Sequence, residues 1–285
     1  MIEPIQSHDQ LLTDIIQMRA VTNALHLWWL GQSGYLVQWQ GQHLLIDPYL
    51  SDSLTKKYAA TAKPHIRMTA IPIAPERLDF IDVVTSSHNH TDHLDGETLQ
   101  PLLEANPYMA IIASAANQEF VADRLHVAPA RITPIAQDTA VVVGNFTFHA
   151  VPAAHQELEL DEQGHYRCIG LVIQIGPWTL YHSGDTMYYA GLEATVMRWP
   201  IDLALLPING YDPARGVAGN LSGSEAVKVA HTIGARLVIP CHYEMFTFNT
   251  VTTDEFVAAA TALQQPFQIL RCGERLTMTT TSPLR

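Results

Sequence analysis

The chain is poor in cysteine. Its 285 residues include three cysteines, and no two of them form a Cys-X-X-Cys pair. A zinc site built from thiolates is therefore not expected. The N-terminus has no basic stretch followed by an apolar one, so we expect no signal peptide. Sparse thiols without an export signal predict reduced cysteines and a cytoplasmic protein.

Basic residues and long apolar runs are also scarce. The chain has 16 Lys and Arg against 28 Asp and Glu, a net charge of −12. Nucleic-acid-binding proteins usually present a basic stripe, and none is visible here. No apolar run approaches the roughly 18 residues that a membrane span needs. We therefore expect a small-molecule substrate, and neither a nucleic acid nor a membrane as partner.

The pattern of apolar segments predicts one globular domain, residues 1–285, without repeats or linkers. Apolar residues make up 47% of the chain and charged residues 15%, typical of a soluble enzyme. Hairpins followed by alternating strands and helices indicate an α+β fold, a four-layer αββα sandwich. A doubly wound parallel sheet is the alternative, and it fits the early hairpins less well. We predict strands at 25–31, 34–39, 43–50, 80–87, 109–114, 201–208 and 235–243, hairpins at 139–155 and 168–185, and helices at 97–106, 115–126, 222–234 and 253–263.

Histidine and aspartate side chains gather just after predicted strands. The segment HNHTDH, residues 88–93, places three histidines and an aspartate in six residues. Three more such residues each follow a later apolar run. Loops at strand ends are where rigid sheets assemble sites, so we expect these side chains to converge. The seven candidate metal ligands are His88, His90, Asp92, His93, His155, Asp185 and His242.

Seven ligands of this type are enough for two ions. Imidazole and carboxylate suit zinc, manganese or iron. A carboxylate such as Asp185 can bridge two cations, which a neutral imidazole does not normally do. Two neighbouring cations lower the pKa of a shared water and stabilise a developing oxyanion. The alternative, histidines on a solvated loop, does not explain four such side chains in one short segment.

The segment HNHTDH resembles the HxHxDH signature of the metallo-β-lactamase superfamily. The later residues follow in the order that this family has. The resemblance implies that Asp47, in LLIDPYL, is a carboxylate that does not bind metal itself but supports the loops that carry the ligands. It also implies one metal position from His88, His90 and His155, a second from Asp92, His93 and His242, and Asp185 between them.

The segments LIDPYLSDS, LYHSGDT and IPCHYEMF are similar to those of the branch that contains the L-ascorbate-6-phosphate lactonases. This resemblance implies hydrolysis of a lactone or ester of a small substrate, phosphorylated in the case of those lactonases, by a hydroxide held on one or two zinc or manganese ions, or iron. It also allows a homo-oligomer. The alternatives are a phosphodiesterase or nuclease of the same fold, and a non-catalytic metal-binding protein.

Other polar residues near the predicted ligands are candidates for catalysis and substrate binding. Asp92 and Asp185 are predicted to be catalytic as well as ligating, and Asp92 is the candidate for proton transfer. His182 could donate a proton to an oxyanion or a leaving group. The segment 52–67 could form a lid or an oligomer contact. The candidates for substrate contacts are Asn209 and Arg215, in a glycine-rich loop, and Tyr243, next to His242.

Overall fold

The structure, a computed structural model, describes residues 1–280. It contains two mixed β-sheets that pack face to face, with helices on both outer faces. The strands are β1 (Ala24–Gly31), β2 (Gly34–Trp39), β3 (Gln42–Ile46), β4 (Val83–Ser86), β5 (Ala110–Ser114), β6 (Ile132–Ile135), β7 (Ala140–Val143), β8 (Phe146–Pro152), β9 (Ile169–Ile175), β10 (Trp178–His182), β11 (Leu203–Pro207), β12 (Leu237–Cys241) and β13 (Arg275–Thr279). The α-helices are α1 (His8–Met18), α2 (Ser53–Tyr58), α3 (Gly96–Ala105), α4 (Gln118–Leu125), α5 (Leu192–Val196), α6 (Gly223–Thr232) and α7 (Asp254–Leu263).

Each sheet combines antiparallel and parallel pairing. The first has the order β13-β1-β2-β3-β4-β5-β6, antiparallel as far as β3 and parallel from β3 to β6. The second has the order β12-β11-β10-β9-β8-β7, parallel from β12 to β10 and antiparallel beyond. The predicted four-layer α+β sandwich is confirmed. The early antiparallel hairpins exclude the doubly wound alternative.

Strand β1 shows why its sequence is apolar almost throughout. Successive side chains of a strand point to opposite faces. Leu27 and Trp29 face the core between the two sheets, whereas Trp28 and Leu30 face the layer of α1, α3 and α4. Because both faces are covered, neither needs polar residues. The second sheet is covered on its outer face in the same way by α6 and α7.

The predicted element bounds differ from the structure at functional loops. The predicted strand 43–50 stops at Ile46, because Asp47 has a left-handed backbone with φ 41°. The predicted strand 80–87 shortens to β4. The helix predicted from Ser222 begins there with a capping box, in which Ser222 and Glu225 each accept from the other's backbone N–H.

Several elements were not predicted from the sequence. Helix α1 buries only Leu11 and Ile15, and strand β13 alternates apolar residues with threonine and arginine. Their apolar patterns are therefore weak. Within residues 1–280, the helices all lack the length and apolar character needed to cross a bilayer.

His43 gives the fold a testable pH dependence. Its ring is 1% exposed, and burial lowers its pKa to about 3, with Arg19 adding to the effect. The carboxylate of Asp82 lies 3.9 Å from Nδ1 but is largely solvated, so burial dominates. Because the folded pKa lies below the unfolded value of about 6.5, the unfolded state binds more protons, and stability falls as the pH drops from about 6.5 towards 3.

We expect His43→Leu to reduce this loss. Between pH 6.5 and 4.5, the variant's free energy of unfolding in urea should fall by about 2 kcal/mol less than that of the original protein, at about 1.4 kcal/mol per pH unit. The exposed His231→Gln variant is the control and should follow the original protein. Equal pH dependence in all three proteins would contradict the assignment.

Candidate metal centre

The seven predicted ligands lie on four loops that meet at one end of the sandwich. His88 to His93 follow β4, His155 follows β8, Asp185 follows β10 and His242 follows β12. The directions of pairing place the C-terminal ends of β8, β10 and β12 at the same edge of the second sheet. Strand β4 brings its loop to the matching edge of the first sheet. The structure therefore brings all seven side chains together.

One group comprises His88, His90 and His155. Their nearest ligand atoms all lie within 4.8 Å of one another. His90 Nδ1 and His155 Nε2 are 3.0 Å apart. His88 Nε2 is buried and finds no hydrogen-bonding partner among the described residues. Three imidazole nitrogens thus face one point, an arrangement that fits a zinc-like cation.

A second group comprises Asp92, His93 and His242, whose ligand atoms again lie within 4.8 Å of one another. Asp185 lies against it, with Oδ2 at 3.2 Å from His93 Nε2 and 3.3 Å from His242 Nε2. Asp185 also groups with His88 and His93. This carboxylate is therefore shared between the two groups, as expected of a bridging ligand.

The outward nitrogens of three of the histidines are fixed by hydrogen bonds. His93 Nδ1 donates to Asp47 Oδ2 at 2.7 Å, and His155 Nδ1 donates to the Gly219 carbonyl at 3.0 Å. Ser87 Oγ donates to Asp47 and accepts from His88 Nδ1 at 3.0 Å. Each bond leaves the lone pair of the opposite nitrogen directed inward. Such outer partners orient metal-binding imidazoles.

The two groups differ in charge. Burial lowers the pKa of His88 well below its usual value and that of His155 to about 4, so both rings are neutral at neutral pH, the form that binds metals. In the second group, burial disfavours the protonated, charged form of His93. Asp185 and Asp92 outweigh this effect and raise the pKa of His93 well above its usual value. His93 and His242 in turn hold the pKa of Asp185 well below its usual range, against its burial. Negative charge is thus concentrated beside the second group.

Three residues of the site have an unusual backbone. Asp47, Asp185 and His242 have φ angles of 41°, 96° and 63°. Left-handed conformations are costly for residues with a Cβ, and they persist where the surrounding structure imposes them. Gly184, at φ 69°, makes the turn before Asp185, and a Cβ there would lie 2.2 Å from the Ile169 carbonyl oxygen and 2.6 Å from Ser87 Cβ. The strained backbone at these three positions therefore sets the directions in which their side chains point.

Two residues that support Asp185 through hydrogen bonds were not predicted from the sequence. Ser33 Oγ donates to Asp185 Oδ1 at 3.1 Å, and Asn220 Nδ2 donates to Asp185 Oδ2 at 3.3 Å. Ser33 and its neighbour Gln32 lie in the turn between β1 and β2. A tight turn following an apolar strand was the available signal, but GQSG has no residue typical of metal sites.

The predicted substrate contacts and His182 lie outside the cavity lining. His182 is 1% exposed and its Nε2 donates to the Ser33 carbonyl at 3.0 Å. Tyr243 is buried against Trp29 and donates to the Leu270 carbonyl. Asn209 accepts from Asn220, and Arg215 donates to the Asn209 carbonyl at 2.6 Å. These residues pack behind the site. None of these contacts supports the substrate-binding role predicted for Asn209, Arg215 and Tyr243, or the proton donation predicted for His182.

A cavity of about 560 Å³ opens onto the two groups. His90, Asp92, His155, Asp185 and His242 form its polar end. The segment 52–67, predicted to be a lid or an oligomer contact, forms one wall. From that segment the cavity is lined by Leu54, Lys57, Tyr58 and His65.

The family comparison agrees with this geometry. Residues 42–243, more than half of the chain, match the model of the family described as "Beta-lactamase superfamily domain". The chain belongs to the metallo-β-lactamase superfamily. Proteins of this fold are also among the similar solved structures, such as the metallo-β-lactamase-fold protein YhfI from Bacillus subtilis, with a TM-score of 0.64, 19% identity, and coverage of 90% of this chain and 100% of that one.

Curated relatives in the superfamily cover most of this chain. A UPF0173 metal-dependent hydrolase from Caldivirga maquilingensis is 26% identical over 81% of this chain and 87% of its own. Another UPF0173 metal-dependent hydrolase, from Methanosarcina mazei, is 27% identical over 84% of this chain and 91% of its own. An isothiocyanate hydrolase from Delia radicum gut bacteria shares the fold, with a TM-score of 0.70, 21% identity, and coverage of 90% of this chain and 100% of that one.

Asp47 offers a test of the supporting hydrogen bonds. In Asp47→Asn an amide replaces the carboxylate that accepts from His93 Nδ1, so His93 loses its orientation. We expect zinc affinity, measured by chelator competition, to fall about 10- to 100-fold. Asp82→Asn is the control, because Asp82 accepts a backbone N–H from His43 away from the site. An unchanged affinity in Asp47→Asn would show that the hydrogen bond does not prepare the site.

Proposed function

We propose that this protein is a metal-dependent hydrolase that opens a lactone or ester of a small substrate. The observation that carries the proposal is the convergence of seven His and Asp side chains into two adjoining groups around one shared carboxylate. The metal-dependent hydrolases among its relatives support it. The similarity of LYHSGDT and IPCHYEMF to the lactonase branch favours a lactone.

The donor set is suited to one or two divalent ions, with zinc, manganese and iron all compatible. His88, His90 and His155 would hold one ion, and Asp92, His93 and His242 the other, with Asp185 between them. When bound, such ions act as Lewis acids and make water a stronger nucleophile at neutral pH.

Asp92 is the proposed proton carrier. Its side chain is 16% exposed and lines the cavity, whereas Asp185 is 2% exposed and is held by Ser33 and Asn220. Burial opposes the ionised form of Asp92, but His93 and His242 lower its pKa, so its carboxylate is able to accept a proton from the attacking water. The same group then returns the proton to the alkoxide that leaves when the ester C–O bond breaks. Asp185 remains a fixed anion.

An aromatic group on one side of the cavity favours a substrate that carries an apolar part. Tyr58 and His65 stack with ring centroids 4.1 Å apart, and Phe246 packs against His65 at 5.3 Å. Burial lowers the pKa of His65, so the aromatic group of Tyr58, His65 and Phe246 is uncharged at neutral pH. Of the basic residues at the cavity, Arg124 is engaged by the Asn89 and Leu94 carbonyls, whereas Lys57 lies with its Nζ 5.2 Å from the centroid of the Tyr58 ring and has no carboxylate partner within residues 1–280, so it is able to meet an anionic group.

Metal removal is the first test of this function. The chelator-treated protein should lose hydrolysis of simple lactones, and added zinc or manganese should restore it. The double variant His90→Ala, Asp185→Ala should stay at least about 100-fold below the original protein even with excess metal, because each group loses a ligand. Full activity of the double variant would remove the catalytic proposal.

A substrate screen separates the alternatives. Lactones, sugar-phosphate lactones and bis(p-nitrophenyl) phosphate should be compared with the metal-loaded protein. We expect aryl- or alkyl-substituted lactones to be preferred, and Lys57→Ala to raise KM for the phosphorylated lactones only. The adjacent Lys56→Ala is the control, since Lys56 pairs with Glu97 at 2.6 Å. A preference for the diester would identify a phosphodiesterase instead.

A further inference from the structure

Gln32 is a buried residue whose backbone is held firmly beside the second group. It lies in the turn after β1, with φ 51°, and is 1% exposed. Its carbonyl oxygen accepts from Trp29 Nε1 at 3.0 Å and from the backbone N–H of His242 at 3.0 Å. The position of its side chain relative to His242 is therefore set by the fold.

The side-chain amide of Gln32 contacts two of the predicted ligand atoms. Its Nε2 is 2.8 Å from Asp92 Oδ2 and 2.9 Å from His242 Nε2. Its Oε1 is buried and has no hydrogen-bonding partner in residues 1–280. The amide orientation follows from the chemistry of the neighbours. The Asp92 carboxylate oxygen only accepts, so the amide presents its NH₂ to it, and the second hydrogen of that NH₂ lies at His242 Nε2, the atom that would bind an ion.

These two hydrogen bonds engage the same atoms that a cation in the second group would need. Asp92 Oδ2 and His242 Nε2 lie 3.7 Å apart, with the Gln32 NH₂ within hydrogen-bonding distance of both. Imidazole Nε2 has a single lone pair, so it cannot serve the amide and an ion at once. The first group has no equivalent donor from outside its own ligands: His90 Nδ1 and His155 Nε2 contact each other at 3.0 Å, and His88 Nε2 has no partner among the described residues.

We propose that Gln32 competes with the metal ion for the second group and makes the two positions unequal in affinity. An ion binds tightly to His88, His90 and His155, whose inward nitrogens meet no donor from outside the group among the described residues. A second ion binds more weakly, because it must displace the Gln32 amide from Asp92 and His242. The inference rests on the proposed function, since it assumes that the two groups bind divalent ions.

Two variants withdraw the amide from Asp92 and His242 without straining the turn. Gln32→Gly deletes the side chain, and glycine accepts the left-handed backbone freely. Gln32→Asn retains an amide on a side chain one methylene shorter, and asparagine also tolerates this conformation. The matched control is Gln38→Asn, because Gln38 is also 1% exposed but lies further along β2.

Zinc binding is measured in two ways. Chelator competition gives the two dissociation constants, and mass spectrometry gives the number of ions per chain. The original protein should bind one zinc ion tightly and a second more weakly. Losing the hydrogen bond to the charged Asp92 should tighten the second constant about tenfold or more in both Gln32 variants. The first constant, and both constants of Gln38→Asn, should stay unchanged.

The outcomes distinguish this inference from the proposed function. Binding of two ions with a second constant unchanged or weakened in both Gln32 variants would overturn the role of Gln32 alone. Equal constants for the two ions in the original protein would also overturn it. Failure of the original protein to bind zinc at all would overturn both proposals. Circular dichroism at the titration temperature confirms that each variant is folded before titration.

Discussion

The site is organised around the buried carboxylate of Asp185. This anion lies between His93 and His242, at 3.2 Å and 3.3 Å, on loops from different sheets. A buried carboxylate is costly unless it is paired and hydrogen-bonded. Ser33 and Asn220 supply two donors, and His93, whose Nδ1 donates to Asp47, places its Nε2 at 3.2 Å from Asp185. Because the buried Asp185 carboxylate needs these partners, side chains from most of the site lie around it.

A second layer of polar residues makes this arrangement rigid. Asn220 connects Asp185 to Asn209, which in turn donates to Asn249 at 3.0 Å. Arg215 donates to Asn249 Oδ1 at 3.1 Å. Hydrogen-bonded networks of this kind restrict the geometry of their members, because breaking one bond leaves other groups unsatisfied. The glycine-rich loop therefore acts on the site through hydrogen bonds to its ligands.

The ligands could be predicted from the sequence because their chemistry is concentrated and placed regularly. Three histidines and an aspartate within residues 88–93, and single residues after apolar strands, are strong local signals. The family resemblance supplied their grouping. The fold class followed from the hairpins and the alternating strands and helices. Their roles as ligands and the substrate remain predictions.

The supporting residues could not be found in this way, because their roles depend on distant contacts. Gln32 and Ser33 look like turn residues until β1 and β12 bring them to His242 and Asp185. Arg215 and Tyr243 look like candidates for substrate contacts, but their partners are backbone carbonyls within the protein. Polarity in the sequence indicates a need for partners and does not indicate which partners the fold supplies.

The origin of the ligands in two different sheets has a consequence for folding. Neither sheet alone carries a complete set around Asp185, since His88 to His93 come from one sheet and Asp185 and His242 from the other. The polar end of the cavity therefore has its final shape only when the apolar core between the sheets is formed. Any treatment that separates the two layers would dismantle the cluster even while each layer kept its own strands, so the arrangement of these imidazoles reports on how closely the two halves of the sandwich are joined.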